Sequence, residues 1–225
     1  MTGPGEASED VRARLFVAVV PSPDVLDAVE GRLPQVHAAL ARVGEDGLRW
    51  TTREQWHVTL RFLGDAPLRA AVEAVAAVEA VVTVDAQLGP GVRALGRGVL
   101  CLPVRGLEGL AGAVAATTGH LGRPPERRPF RGHLTLARVR SGRRAPRLDR
   151  LVAAASGAGS LPSFAERFEV SEIQLVRSTL RHSGAAYEVV ARRALRRLIP
   201  AAGKAGRGRR PAQRRSWPAT CGRHR

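Results

Sequence analysis

The sequence predicts a mixed helix-and-strand fold built as two related lobes, and three observations predict it. Short apolar runs rich in Val, Leu and Phe alternate with stretches whose apolar residues recur at helical spacing. One unit, a helix, a turn and a strand opening on His-x-Thr-Leu, occurs twice, at His57-Val58-Thr59-Leu60 and at His133-Leu134-Thr135-Leu136. At 225 residues the chain can bury one sizeable core or a pair of closely related lobes.

The elements follow in order. Residues 1–11 are polar, contain Gly and Pro, and are expected to be disordered. Arg14 to Val20 reads as a buried strand. Pro21-Ser22-Pro23-Asp24 opens a helix with apolar positions Val25, Leu26, Val29 and Leu33, Ser22 serving as N-cap and Pro23 as first helical residue. Arg49 to Thr52 leads to a strand from His57 to Leu63, which Gly64-Asp65 should stop. Pro67 starts a helix to about Val82, with Leu68, Val72, Val75, Val78 and Val82 on its apolar stripe. Strands are expected near 83–88, 92–95 and 98–104. A helix over Leu107 to Leu121 and a Pro/Arg-rich turn, Arg123 to Arg131, then precede the strand His133 to Arg140. Residues 141–163 read as a loop with one short helical turn. Phe168 to Val176 and Ala185 to Ala194 are the last strands, the latter entered through a turn at Arg181-His182-Ser183-Gly184. The folded domain is expected over residues 12–199, and a basic disordered tail over 200–225.

Composition narrows the function classes. The net charge is +16, and Lys204 is the only lysine, so arginine supplies the rest of the 36 basic residues. A planar guanidinium suits phosphate, and a basic surface suits polyanionic partners. Residues 201–225 carry eight of these cations and no Asp or Glu, half of the net charge. A nucleic-acid-binding arm and a solvated extension without a role both fit that tail. The same arginine enrichment in the core also fits a compositional bias. Cys101 and Cys221 are too few for a disulfide framework, which points to a reducing, cytoplasmic setting. No secretory signal is expected, and Leu15 to Val20 is far too short to span a bilayer.

The paired motifs carry the chemistry. A His and a Thr two residues apart on a strand point to one side. Two such strands facing each other would place two imidazoles and two hydroxyls in one cleft. Opening a cyclic phosphate ester needs a water activated on one side of phosphorus and a proton delivered on the other, and a neutral and a protonated imidazole supply both near neutral pH. Thr59 and Thr135 can donate to non-bridging phosphate oxygens. One His-x-Thr would be an ordinary strand feature; the pair is specific. His37 and His120 fall in predicted helices, His182 in a turn and His224 in the tail. No Cys or carboxylate cluster accompanies His57 or His133, which disfavours zinc. No Gly-rich loop ending in Lys-Ser/Thr is present, so an ATP-dependent ligase has no support.

These motifs resemble those of the 2H phosphoesterase superfamily, named for its two His-x-Thr-x motifs. Within it the chain is most similar to the RNA 2′,3′-cyclic phosphodiesterases first described as 2′-5′ RNA ligases. The likeness covers roughly residues 12–198 and includes Arg14-Leu15-Phe16-Val17-Ala18, Trp56 to Gly64, Arg128 to Arg138 and Leu175-Val176-Arg177-Ser178. Many relatives carry Pro before the second His, where this chain has Gly132, so a looser approach to His133 is expected. The resemblance implies a bilobal α+β fold, two antiparallel sheets flanked by helices around a central cleft. It also implies metal-free, cofactor-free hydrolysis of an RNA 2′,3′-cyclic phosphate end to a 2′-phosphate, with His57 the proton donor and His133 the acceptor.

Arg138 matches an arginine of the relatives and is the candidate phosphate clamp. Its odd offset from His133 turns it away in a regular strand, so a bulge or the strand end has to redirect it. Arg131 shares the His133 face, and Phe130 and Phe62 are candidates for base stacking, with core packing as the plainer role of each. The expected partner is RNA ending in a 2′,3′-cyclic phosphate, with no membrane and no metal, and a monomer is expected because two lobes supply both half-sites. Reverse ligation to a 2′-5′ linkage belongs to the same chemistry. Two alternatives stand beside this reading: a small cyclic nucleotide or ADP-ribose cyclic phosphate as substrate, and a non-catalytic RNA-binding module.

Overall fold

The computed structural model describes residues 11–44, 47–79, 82–140, 148–181 and 184–196. The expected disordered N-terminus up to residue 10, the basic tail, His182 and His224 lie outside the described residues. In chain order the elements are β1 (Arg12–Val19), α1 (Pro23–Arg42), β2 (Leu48–Trp50), a short 3₁₀ turn (Arg53–Gln55), β3 (Val58–Pro67), α2 (Leu68–Ala76), β4 (Val84–Leu88), β5 (Arg93–Leu95), β6 (Val99–Arg105), α3 (Glu108–Thr118), β7 (His133–Val139), α4 (Leu148–Gly157), β8 (Glu166–Val170), β9 (Glu172–Arg181) and β10 (Gly184–Ala194).

The strands form one antiparallel path, β10-β9-β1-β3-β7-β6-β4-β8, with β2 added on β7 and β5 on β6. It divides into two halves of four strands, because β3 and β7 meet through a single residue pair, Val58 opposite Leu134. The helices cross between halves. Helices α2 and α3 pack together and cover β10, β1 and β3 of the first half, while α1 and α4 pack together against β8 and β5 of the second. Each half is therefore covered by one helix from its own side of the chain and one from the other. The fold is α+β, as the sequence indicated.

The main core lies under these helices and runs through both halves, from Leu15, Val17, Leu63 and Val75 to Leu102, Val114, Leu134 and Leu136. Each such side chain contributes about 1.5–3 kcal/mol by leaving water. A second, smaller cluster of Phe16, Ala18 and Val176 sits on the opposite face of β1, with Phe62 and Tyr187 packed against it. Burial on both faces explains why Leu15 to Val19 reads as an unbroken apolar run.

Several boundaries differ from the sequence reading. Strand β3 does not stop at Gly64-Asp65 but pairs with β1 as far as Pro67 opposite Arg12, with Leu63 as an extra residue and Gly64 at φ +70°. Helix α2 ends at Ala76, not Val82, because the chain leaves it to pair beside Arg196, whose carbonyl accepts the Thr83 amide. Helix α3 ends at Thr118, which leaves His120 in the following turn, outside any helix. The loop expected over 141–163 holds a ten-residue helix, α4, seated through Leu148, Val152 and Ala155. The strand expected from Phe168 to Val176 is two strands: β8 joins β4 in the second half, and β9 joins β1 and β10 in the first. Burial changes there from alternating along β8 to continuous over Ile173 to Val176, Gln174 included, as β9 enters the doubly covered sheet. Ser22 and Pro23 occupy the expected cap and first helical positions of α1, but the Ser22 side chain makes no cap bond and instead lowers the pKa of Asp24 by hydrogen bonding. Among the described residues no helix is long and apolar enough to cross a membrane.

Candidate active site

The single pair joining the halves places the two motifs. Val58 and Leu134 are fully buried and point to the core, so His57 and Thr59, and His133 and Thr135, flank them on the other face. Continuing that antiparallel register by one residue sets His57 opposite Thr135 and Thr59 opposite His133. A local twofold relation thus runs between Val58 and Leu134, and the four side chains share one face of the sheet, the cleft side, where the charge of His133 acts on His57.

Both imidazoles are oriented in the same way. His57 Nδ1 lies 2.8 Å from the Gln55 carbonyl and His133 Nδ1 lies 2.8 Å from the Arg131 carbonyl. A carbonyl only accepts, so each Nδ1 carries the hydrogen and donates it. Each Nε2 is left facing away from its own strand to give or take a proton. The two carbonyls are held differently. Gln55 sits in a capping box with Thr52, and its amide nitrogen donates to the Ala185 carbonyl of β10. Arg53 in the same turn is clamped by Asp27 and Glu30 of α1. On the other side the backbone does the work: the Val104 amide of β6 donates to the Gly132 carbonyl at 2.8 Å. A Cβ at Gly132 would stand 2.5 Å from the Val104 carbonyl oxygen, so glycine here permits a close approach of strands. The looser entry to His133 expected from Gly132 is therefore corrected to a tight one.

Each motif strand carries a bulge three residues past its histidine. On β3, Val17 pairs with Arg61 and Ala18 with Thr59, so Leu60 is extra; on β7, Leu100 pairs with Ala137 and Cys101 with Thr135, so Leu136 is extra. Two consecutive buried residues result in each, Leu60-Arg61 and Leu136-Ala137. The bulge reverses the facing of everything beyond it. Arg138 is thereby returned to the cleft side with His133 and Thr135, and its charge acts on His57. Phe62 is the matching residue on β3, and it joins the cleft-side cluster. Thr51 ties both sides together: its hydroxyl donates to the carbonyls of Thr135 and Leu136, at the bulge, and accepts from Trp56 Nε1 next to His57.

The surroundings of the two histidines differ. His57 stacks on Phe16 with ring centroids 4.7 Å apart and meets the edge of Tyr187 at 5.1 Å. Burial, then the charges of Arg138 and His133, push its pKa down to about 4 against the opposing pull of the Gln55 carbonyl. His57 is therefore neutral at pH 7 in the empty site. An anionic phosphate would offset Arg138 and His133 and raise it.

Arg131 contributes its carbonyl, and its side chain is exposed. Phe130 is half-buried against the main core and lies over Gly132. Phe62 carries two guanidinium groups on its ring, Arg14 at 4.7 Å and Arg123 at 5.6 Å from the centroid. The sequence reading missed Thr51, Gln55, Phe16, Tyr187 and the bulge on β3; on β7 the odd offset of Arg138 had required a bulge or the strand end, and the bulge is found. The Leu136-Ala137 apolar doublet, which breaks the alternation of β7, marks its place. Among the described residues no group of three His, Cys, Asp or Glu side chains is placed to hold a metal ion.

The profile of the LigT-like phosphoesterases matches residues 24–86 and 103–187, well over half of the chain. No curated protein matches the sequence significantly. Among solved structures, the TT0787 protein of Thermus thermophilus is 26% identical, with a TM-score of 0.59 over 82% of this chain and 99% of that one. E. coli LigT, in a complex with 3′-AMP, is 22% identical, with a TM-score of 0.60 over 82% of this chain and 99% of its own. The same E. coli protein bound to phosphate is similar at a TM-score of 0.57. With both His-x-Thr motifs intact and converging on one cleft, the chain belongs to the LigT-like phosphoesterases of the 2H phosphoesterase superfamily.

Proposed function

We propose that this phosphoesterase hydrolyses the 2′,3′-cyclic phosphate at an RNA end to a 2′-phosphate, without a metal ion. The observation that carries the reading is the matched pair of Nδ1-locked imidazoles, each with Nε2 free, across one residue pair from each other. In-line displacement at phosphorus needs a base and an acid on opposite sides, and the local twofold supplies opposed groups. His133 Nε2 takes a proton from water as its oxygen bonds to phosphorus. The bond from phosphorus to O3′ breaks, and His57 Nε2–H delivers its proton to O3′. Thr59 and Thr135 hydroxyls and the Arg138 guanidinium hold the non-bridging oxygens as charge builds.

The donor role requires His57 to be charged when it acts. It is neutral in the empty site, so the substrate's negative charge has to raise its pKa until Nε2 takes a proton from solvent. The Phe16 ring face beneath the imidazole favours that cation once formed. The E. coli relative's complexes with 3′-AMP and with phosphate fit a substrate of this class. One chain brings both half-sites, so a monomer suffices.

The test is turnover of a short RNA ending in a 2′,3′-cyclic phosphate, in excess chelator, with the product position read by NMR. A 2′-phosphate is expected. A 3′-phosphate would reverse the placement of the donor. Turnover only of small cyclic nucleotides would move the substrate class, and no turnover would leave an RNA-binding module.

A further inference from the structure

The two motif strands are matched as far as their bulges and then diverge, with Ala137-Arg138 on β7 where β3 has Arg61-Phe62. Phe62 nevertheless brings cations to its side of the cleft. Arg14 from β1 and Arg123 from the turn after α3 both lie over its ring. Arg14 is two residues from Phe16 on the same face of β1, and Phe16 is the ring on which His57 stacks. The sequence of contacts from the reacting centre is therefore His57, Phe16, Phe62 and then two guanidinium groups.

These two arginines stand apart from their neighbours in charge balance. Arg12 is paired with Asp65, and Arg177 with Glu188. Among the described residues Arg14 and Arg123 have no carboxylate partner. Both are exposed. The position of Arg123 is built rather than incidental. Its amide donates to the Leu63 carbonyl at 2.7 Å, and its carbonyl accepts from the buried Arg61 guanidinium, which also binds the carbonyls of Thr118 and Leu121. At Gly122 (φ +59°) a Cβ would fall 2.1 Å from the Leu63 carbonyl oxygen, so the turn is pressed against β3. Arg61 and Phe62 are adjacent on β3, one holding the turn from the core side and the other carrying its arginine on the cleft side.

We infer that Arg14 and Arg123, seated on Phe62, form a second phosphate site that takes the internucleotide phosphate preceding the terminal nucleotide. The inference rests on the RNA-end reading above and sharpens it: the preferred substrate is an oligonucleotide end, and a cyclic mononucleotide fills only half of the site. Two unpaired guanidinium groups beside an aromatic ring bind a phosphodiester as a charged, hydrogen-bonded clamp. The ring holds the stems and guanidinium planes in place, so less freedom is lost when the phosphate arrives.

The experiment compares kcat/KM for adenosine 2′,3′-cyclic phosphate, for the ApA dinucleotide ending in the same cyclic phosphate, and for that dinucleotide with a neutral methylphosphonate linkage. Wild type, Arg14→Gln and Arg123→Gln are measured on all three. Wild type should prefer the charged dinucleotide by about tenfold or more, the worth of one charged hydrogen-bonded contact. The methylphosphonate and either substitution should each remove most of that preference, while turnover of the mononucleotide stays within about twofold. Equal turnover of charged and neutral dinucleotides by wild type would overturn the inference and leave the RNA-end reading standing. So would an equal loss on mononucleotide and dinucleotide in the arginine variants. Turnover of none of the three by wild type would overturn the RNA-end reading itself.

Discussion

Strands β3 and β7 present the same device twice, and the two copies differ in what surrounds it. In both, a histidine donates Nδ1–H to the carbonyl two residues back, a threonine follows two residues on, and a leucine bulge follows that. After the bulge, β3 has Arg61 toward the core and Phe62 toward the cleft, where β7 has Ala137 and Arg138. Arg61 is buried, and one terminal nitrogen of its guanidinium donates to the carbonyls of Thr118, Leu121 and Arg123 at the end of α3 and the turn beyond. Arg138 keeps its charge for the cleft. His57 is packed on Phe16 and Tyr187, and His133 stands half-exposed with no ring contact among the described residues. Identical orientation with unlike electrostatics is what an acid and a base require from one repeated unit.

The largest effect tests the shared half of the comparison. His57→Ala and His133→Ala should each lower kcat by roughly 10³-fold or more, and the double variant should lose little beyond either single one, since the proposed mechanism uses both groups in one step. Single-turnover kinetics on a cyclic-phosphate RNA measure this. A variant that kept a tenth of the rate would break the equivalence of the two strands.

Next comes the point where the strands diverge. Arg138→Ala removes the guanidinium proposed to hold the phosphoryl oxygens and should cost about 10²–10³-fold in kcat. Phe62→Ala on the matching position should cost nearer tenfold and appear chiefly in KM for oligonucleotides. Equal effects of the two on kcat would mean that the bulges do not separate their roles.

The smallest effect concerns the link between strands. Thr51→Val removes the hydroxyl shared by Trp56 Nε1 and the Thr135 and Leu136 carbonyls. Buried polar groups left without partners should lower stability by about 1–3 kcal/mol in chemical unfolding. Activity should fall by several-fold, because the hydroxyl holds the bulge that aims Arg138. An unchanged stability would show that water replaces the hydroxyl.

Much of this site could be read in the sequence because strand chemistry is local. His-x-Thr on an apolar strand fixes two side chains on one face, and the second copy fixes the partner. What the sequence hid was long-range. The bulge at Leu136 turns Arg138 to the cleft side; the odd offset of Arg138 and the Leu136-Ala137 doublet hint at it, but its form is set by pairing with β6. Tyr187 reaches His57 only because β10, β9 and β1 are neighbours. Helix α4 was hidden by its Ala and Gly content, and Leu148, Val152 and Ala155 are its buried residues. Gly132 read as freedom in the sequence and is a close contact in the fold, a distinction set by where β6 lies.

The most direct measurement is nitrogen-15 NMR of the two imidazoles, titrated from pH 3.5 to 9, in the empty protein and with a bound 2′-phosphate nucleotide. Both rings should show the Nδ1–H tautomer wherever they are neutral. His57 should titrate near 4 in the empty protein and rise to about 7 or above when the phosphate binds, taking up a proton at neutral pH. A ring in the Nε2–H form, or a His57 that titrates near its ordinary 6.5 and ignores the phosphate, would contradict the assignment of His57 as a substrate-charged acid.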